Sequence, residues 1–184
     1  MTVQRGIGSI IAAIIGIIVL VIAVVIIVNV MTGEPPVKSL IYKSLELRKA
    51  QNPVDKADLI SSIDELVADT DNAEIKDQWD RMTKCLSTNC PDEAYLDIVL
   101  VTVASYESDI KESALLINII ATAKYWGDNE HLLEFSKALS IANEQIALLE
   151  NRKAEKEWDE IVKCNGVCPE KNDLYFNLIA TIVQ

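Results

Sequence analysis

Residues 79–99 and 158–179 repeat one pattern: a Trp-Asp pair, a Lys-Cys pair five residues after the Trp, a Cys-Pro soon after, and an aromatic, apolar run. They read WDRMTKCLSTNCPDEAYLDIV and WDEIVKCNGVCPEKNDLYFNLI. Trp79 and Trp158 are 79 residues apart, as are Cys85 and Cys164; the offset is 78 at Cys90 and Cys168 and 80 at Tyr95 and Tyr175. The small indels therefore fall in loops. The segments before each Trp also align under this offset, Ile60 with Leu139 and Val67 with Ile146. A unit that recurs at a fixed separation is one supersecondary structure used twice, so most of the chain is expected to be two related halves, about 38–108 and 109–184.

Both halves read as helix. Asn52-Pro53 supplies a cap and a first-turn proline ahead of Ala57, Ile60, Ile63 and Val67 on one face. Asp71-x-x-Glu74 resembles a capping box before Ile75, Trp79, Met82 and Leu86. Pro91-Asp92-Glu93 starts another helix, with acids where they favour the dipole. Residues from about Ser113 to Trp126 are apolar on more than one face, which predicts a central buried helix. Gly127-Asp128-Asn129 ends it and caps a helix whose Leu132, Phe135, Leu139, Ala142, Ile146 and Leu149 form a three-four stripe. The fold class expected is all-α, a duplicated helical-hairpin domain arranged as a bundle or a short solenoid.

Residues 6–33 carry no charged side chain and are dominated by Ile, Val, Leu, Ala and Gly. That is enough helix to cross a hydrocarbon core about 30 Å thick, and no A-x-A cleavage site follows the run. Residues 1–31 are expected to form one N-terminal transmembrane anchor, and residues 32–37, with Pro35-Pro36, a short stiff linker to a 38–184 domain. Gly8, Ala12 and Gly16 give that span one smooth face for packing against another helix. Arg5 favours a cytoplasmic N-terminus, with the domain outside the cytoplasm.

Of 17 basic and 28 acidic residues only Arg5 precedes Glu34, so residues 34–184 hold 16 against 28. Such a surface excludes nucleic acid as a partner, because phosphate binding needs a basic patch, and disfavours lying flat on anionic lipid.

Cys85 and Cys90, and again Cys164 and Cys168, stand where a Trp helix ends and a Pro-started helix begins. Local disulfides stapling these two corners are expected, each contributing about 2 kcal/mol by closing a short loop, and they imply an oxidising compartment. The alternatives are free buried thiols in a reducing compartment and a zinc site of all four thiolates, although the spacing is not that of C-x2-C knuckles. Trp79, Trp158, Tyr95 and Tyr175 are expected to anchor the core of each half.

The single histidine, His131, has no nucleophile that sequence can pair with it. Asp69, Asp71 and Asp80 fit three positions of a calcium loop, but Ala73 and Glu74 stand where a ligand and a glycine are required. No catalytic residue, cofactor, metal or small-molecule substrate is expected. The expected partners are the lipid bilayer and other membrane-protein subunits. The function expected is that of a cell-membrane, single-pass protein-interaction domain, an accessory or structural subunit of a membrane-associated assembly.

The segment Arg5-Gly6-Ile7-Gly8-Ser9-Ile10-Ile11 with its Ile/Val-rich continuation resembles the N-terminus of archaeal type IV pilin-like proteins, including archaellins. The resemblance covers about thirty residues. It implies processing near Gly6 and a helix packed in a filament core, and so a filament subunit as an alternative function. Archaellin heads are β-rich, and residues 38–184 depart from them in reading as wholly helical.

Overall fold

Pro36 is the first residue of α1 (Pro36–Lys49), inside the stretch read as linker. A first-turn proline is tolerated because its missing N–H has no acceptor within the helix. The computed structural model describes residues 36–88, 90–164 and 171–184. Pro36–Gln184 forms one unit. The expected anchor, with Gly8, Ala12 and Gly16, lies outside the described residues, and no helix within them is long and apolar enough to cross a membrane.

The described residues are all-α. After α1 come α2 (Pro53–Asp69), α3 (Ala73–Leu86), α4 (Asp92–Ser105), α5 (Ser113–Tyr125), a single 3-10 turn (Asn129–His131), α6 (Leu132–Leu148), α7 (Arg152–Lys163) and α8 (Lys171–Val183). The starts of α2 and α6, of α3 and α7, and of α4 and α8 are each 79 residues apart. Caps follow the same spacing. Asn72 Oδ1 accepts the N–H groups of Glu74 and Ile75, and Asn151 Oδ1 those of Lys153 and Ala154. The capping residue of α3 is thus Asn72 rather than Asp71: its side chain reaches the second and third N–H groups of the helix, where an N-cap acts. Asn52 caps α2 as the sequence predicts.

Four helices make the centre. α1 packs on α4 and α8, and α5 packs on the same two. The cycle α1, α4, α5, α8 therefore closes on itself, which decides for a bundle, since an open solenoid would leave its first and last helices apart. Both α4 and α8 bury a doubled row at an 80-residue offset: Tyr95, Leu96, Ile98, Val99 and Val103 against Tyr175, Phe176, Leu178, Ile179 and Val183. Ser44, Thr102 and Thr122 are also buried, and each hydroxyl donates to a carbonyl one turn back, at 2.7–2.8 Å, so none is stranded.

The outer pairs hang on this centre, α2 on α1, α3 on α4, α6 on α5 and α7 on α8. α2 turns in only Ile63 and Val67 fully, while Ala57 is exposed. α6 turns in Ala138, Ala142 and Ile146. The predicted stripe is corrected at its start: Leu132 is exposed, at the solvent-facing beginning of the helix. Trp79 and Trp158 sit under the outer pairs, both 4 % exposed. Each indole Nε1 donates at 2.6 Å to a residue fifteen positions earlier, Asp64 and Asn143 respectively.

Successive helices alternate in direction through short connections. One end of the bundle holds the start of α1 and the end of α8, joined where Lys38 Nζ donates to the Val183 carbonyl at 3.0 Å. The other end holds the α1–α2, α3–α4 and α5–α6 connections, the end of α7 and the start of α8.

Candidate functional site

That second end gathers a network of charged and polar side chains. Arg48, in the last turn of α1, keeps only 14 % of its side chain exposed. Its Nε and Nη2 donate to the two carboxylate oxygens of Asp92 at 2.6 and 3.1 Å, and its Nη1 donates to Asp173 at 2.6 Å. The guanidinium also lies 4.1 Å from the centre of the Phe176 ring. Asp92 and Asp173 stand in the first turns of α4 and α8, where negative charge is favoured by the helix dipole. Asn172 Nδ2 donates to Asp92 at 2.7 Å, joining the two helix starts directly. Hydrogen bonding from Arg48 holds the Asp92 carboxyl below its usual value, against burial, which pushes the other way.

The disulfide between Cys85 and Cys90 borders the same place. Their Cα atoms are 4.9 Å apart, and the bond ties the last turn of α3 to the residues entering α4. Cys90, Arg48, Lys56, Asp92, Tyr95 and Asp173 line a cleft here. Cys164 is also disulfide-bonded, while Cys168 lies outside the described residues. The bond at Cys85 and Cys90 leaves no four-thiolate zinc site, and no group of three or more His, Cys, Asp and Glu side chains among the described residues is placed to hold a metal. In particular Asp69, Asp71 and Asp80 do not converge; Asp80 pairs with Lys84 at 3.3 Å.

Beside this cleft the α5–α6 connection makes an ordered corner. Gly127 takes φ +79°, a left-handed conformation that suits glycine, to end α5. Asp128 Oδ1 accepts from the Glu130 N–H at 2.9 Å, and Oδ2 meets His131 Nδ1 at 2.8 Å. The imidazole stacks on Tyr125 with 4.8 Å between ring centres. Hydrogen bonding to Asp128 raises the His131 pKa above 6.5. His131 thus serves a cap, and among the described residues no hydroxyl or thiol is bonded to it. Trp126 sets its ring against Phe135 and Tyr175 at 5.4 and 6.3 Å, with Lys171 Nζ 5.6 Å from its ring centre. Burial lowers the Lys171 pKa, opposed by the charge of Glu93.

Tyr95 and Tyr175 are both in the core, at 5 % and 0 % exposure. Burial pushes the Tyr175 phenol well above its usual value, against a smaller opposing effect of the Thr122 hydroxyl. Sequence reasoning placed these tyrosines and both tryptophans inside but missed Arg48, Asp92, Asn172 and Asp173, which have no local pattern. It also missed Asp64 and Asn143, which the repeat offset would have found.

Apolar side chains break the charged surface at this end. Val54 and Leu133 hold corresponding positions, 79 residues apart, and are 65 % and 79 % exposed; Leu132 is 55 % exposed. At the opposite end two cavities occupy corresponding places. The first, about 80 Å³, is lined by Leu40, Leu66 and the hydrogen-bonded Thr70 and Tyr106. The second, about 240 Å³, is lined by Leu115, Leu148, Leu149 and Gln145, whose buried Oε1 has no hydrogen-bond partner among the described residues. Comparison with protein-family models, curated proteins and solved structures gives no match to this chain.

Proposed function

We propose that the chain is a single-pass membrane protein with two related helical halves, whose domain stands outside the cytoplasm and acts by protein contact. It would be an accessory or structural subunit of a membrane-associated assembly. The observation that carries this reading is the exposure of Val54, Leu132 and Leu133 at one end of a domain built on one continuous apolar core. Exposed apolar groups beside polar ones on a rigid scaffold are what a protein interface requires. The uncharged run over residues 6–33 supports a membrane anchor. The Cys85–Cys90 disulfide supports an oxidising location.

Co-purification after gentle detergent extraction tests the reading: stoichiometric membrane-protein partners are expected, and a solitary monomer would count against it. Protease treatment of intact cells should degrade the domain. N-terminal sequencing should find residues 1–6 retained, whereas a start at Ile7 would favour the filament subunit instead.

A further inference from the structure

The two halves part company at the connection that leads into their second helix. Residues 50–52 suffice between α1 and α2, but residues 126–131 stand between α5 and α6. This longer corner is held by the Gly127 turn, the Asp128 cap and the His131–Tyr125 stack. It delivers α6 with two adjacent leucines in solvent, Leu132 at 55 % and Leu133 at 79 % exposure. Glu130 and Glu134 flank them, one helical turn apart and both exposed. Both carboxylates act on His131 by charge alone, and neither makes an ion pair within 4 Å among the described residues.

We propose that Leu132 and Leu133, with Glu130 and Glu134 beside them, form the docking point for a basic amphipathic segment of a partner protein. The partner's apolar side chains would cover the leucines while its Lys or Arg side chains meet the glutamates. This rests on the reading of the domain as an interaction module and names its partner's chemistry. Charge decides among occupants. A second copy would set Glu130 and Glu134 against their own kind, and an anionic bilayer would be repelled by them. A cationic helix gains on both its apolar and its charged face.

The test uses the full-length protein in detergent micelles and a synthetic Leu/Lys amphipathic helical peptide, with a Leu/Glu peptide of the same pattern as its counterpart. Calorimetric titration should give saturable one-to-one binding of the Leu/Lys peptide that weakens as salt rises. Leu132→Ser combined with Leu133→Ser should weaken it at least about tenfold, the size of a hot-spot truncation. Glu130→Lys with Glu134→Lys should weaken it comparably and flatten the salt dependence. Leu148→Ser, which removes an equally exposed leucine at the other end of α6, should leave affinity unchanged. All these side chains are exposed, so the variants should keep the helical signal and thermal midpoint of the parent.

Equal affinity in the double-leucine variant, or equal binding of the Leu/Glu peptide, would overturn the proposal. So would self-association, or binding to anionic vesicles, that the double-leucine variant abolishes. Native partners that co-purify equally with parent and double-leucine variant would also overturn this surface while leaving the interaction reading intact.

Discussion

Arg48 joins three helix ends through one side chain, with partners 44 and 125 residues away in sequence. In the sequence it is only a basic residue near the end of a helix, so neither the node nor its cross-chain reach is legible there. Its contribution is testable through Asp92. The carboxyl of Asp92 titrates below its ordinary value of 3.8 in the folded chain. A lowered folded pKa means stability that is present above the unfolded value and is lost as pH falls through the folded one. Asp92→Asn should therefore unfold at lower denaturant than the parent at neutral pH, by roughly 1–3 kcal/mol for a hydrogen bond between charged groups. The gap should narrow as pH drops below about 4, and a gap independent of pH would show that charge is not what Asp92 contributes. Glu150 makes a second residue-scale case. It takes φ +52° just past the end of α6, the place where helices favour glycine. Glu150→Gly should raise stability by about 0.5–1 kcal/mol in chemical denaturation.

Local signals carried most of the elements. The Asn52-Pro53 start, the Gly127 stop and the acidic first turn of α4 all act through neighbouring backbone, which is why each could be read without knowing the fold. The sequence pattern reads Asp71 as the α3 cap where Asn72 acts, since both residue types cap well, and the counterpart Asn151, 79 residues on, would have settled it. The phase of α6 was harder. Its pattern of large side chains includes Leu132, but the residues it buries are Ala138, Ala142 and Ile146, two of them small side chains that a size-weighted pattern underrates. The corner between α3 and α4 is the element whose energetics are simplest to isolate. Cys85→Ser with Cys90→Ser removes a cross-link across a short loop, so the denaturation free energy should fall by about 2 kcal/mol with helix content by circular dichroism unchanged. Loss of helix in that variant would mean that the bond is needed to form α3 or α4, beyond stabilising the turn between them.

At the scale of the whole domain the repeat predicted two related sets of helices but not how they meet, because closure depends on contacts between the ends of the chain. α8 returns to α1, and the contact is specific: Lys49 Nζ donates to Asn177 at 2.8 Å, Arg48 reaches Asp173, and the Gln184 amide meets the Tyr42 hydroxyl. The α4–α5 contact occupies the corresponding place in the other direction around the ring. The gap between Gln184 and Pro36 is thus one of two equivalent breaks in a closed cycle, the other being the connection at residues 106–112. A circular permutant that links Gln184 to Pro36 by a short Gly/Ser segment and opens the chain at the exposed residues 107–109 should fold to the same bundle. Loop-closure terms change slowly with length, so its stability should lie within about 2 kcal/mol of the unpermuted 36–184 domain, with a single cooperative transition. Residues 36–108 or 109–184 alone should not fold, because each half would expose the faces of α1 and α4, or of α5 and α8, that the other half covers. A stable, cooperatively folded half would show that the ring is an association of two independent units.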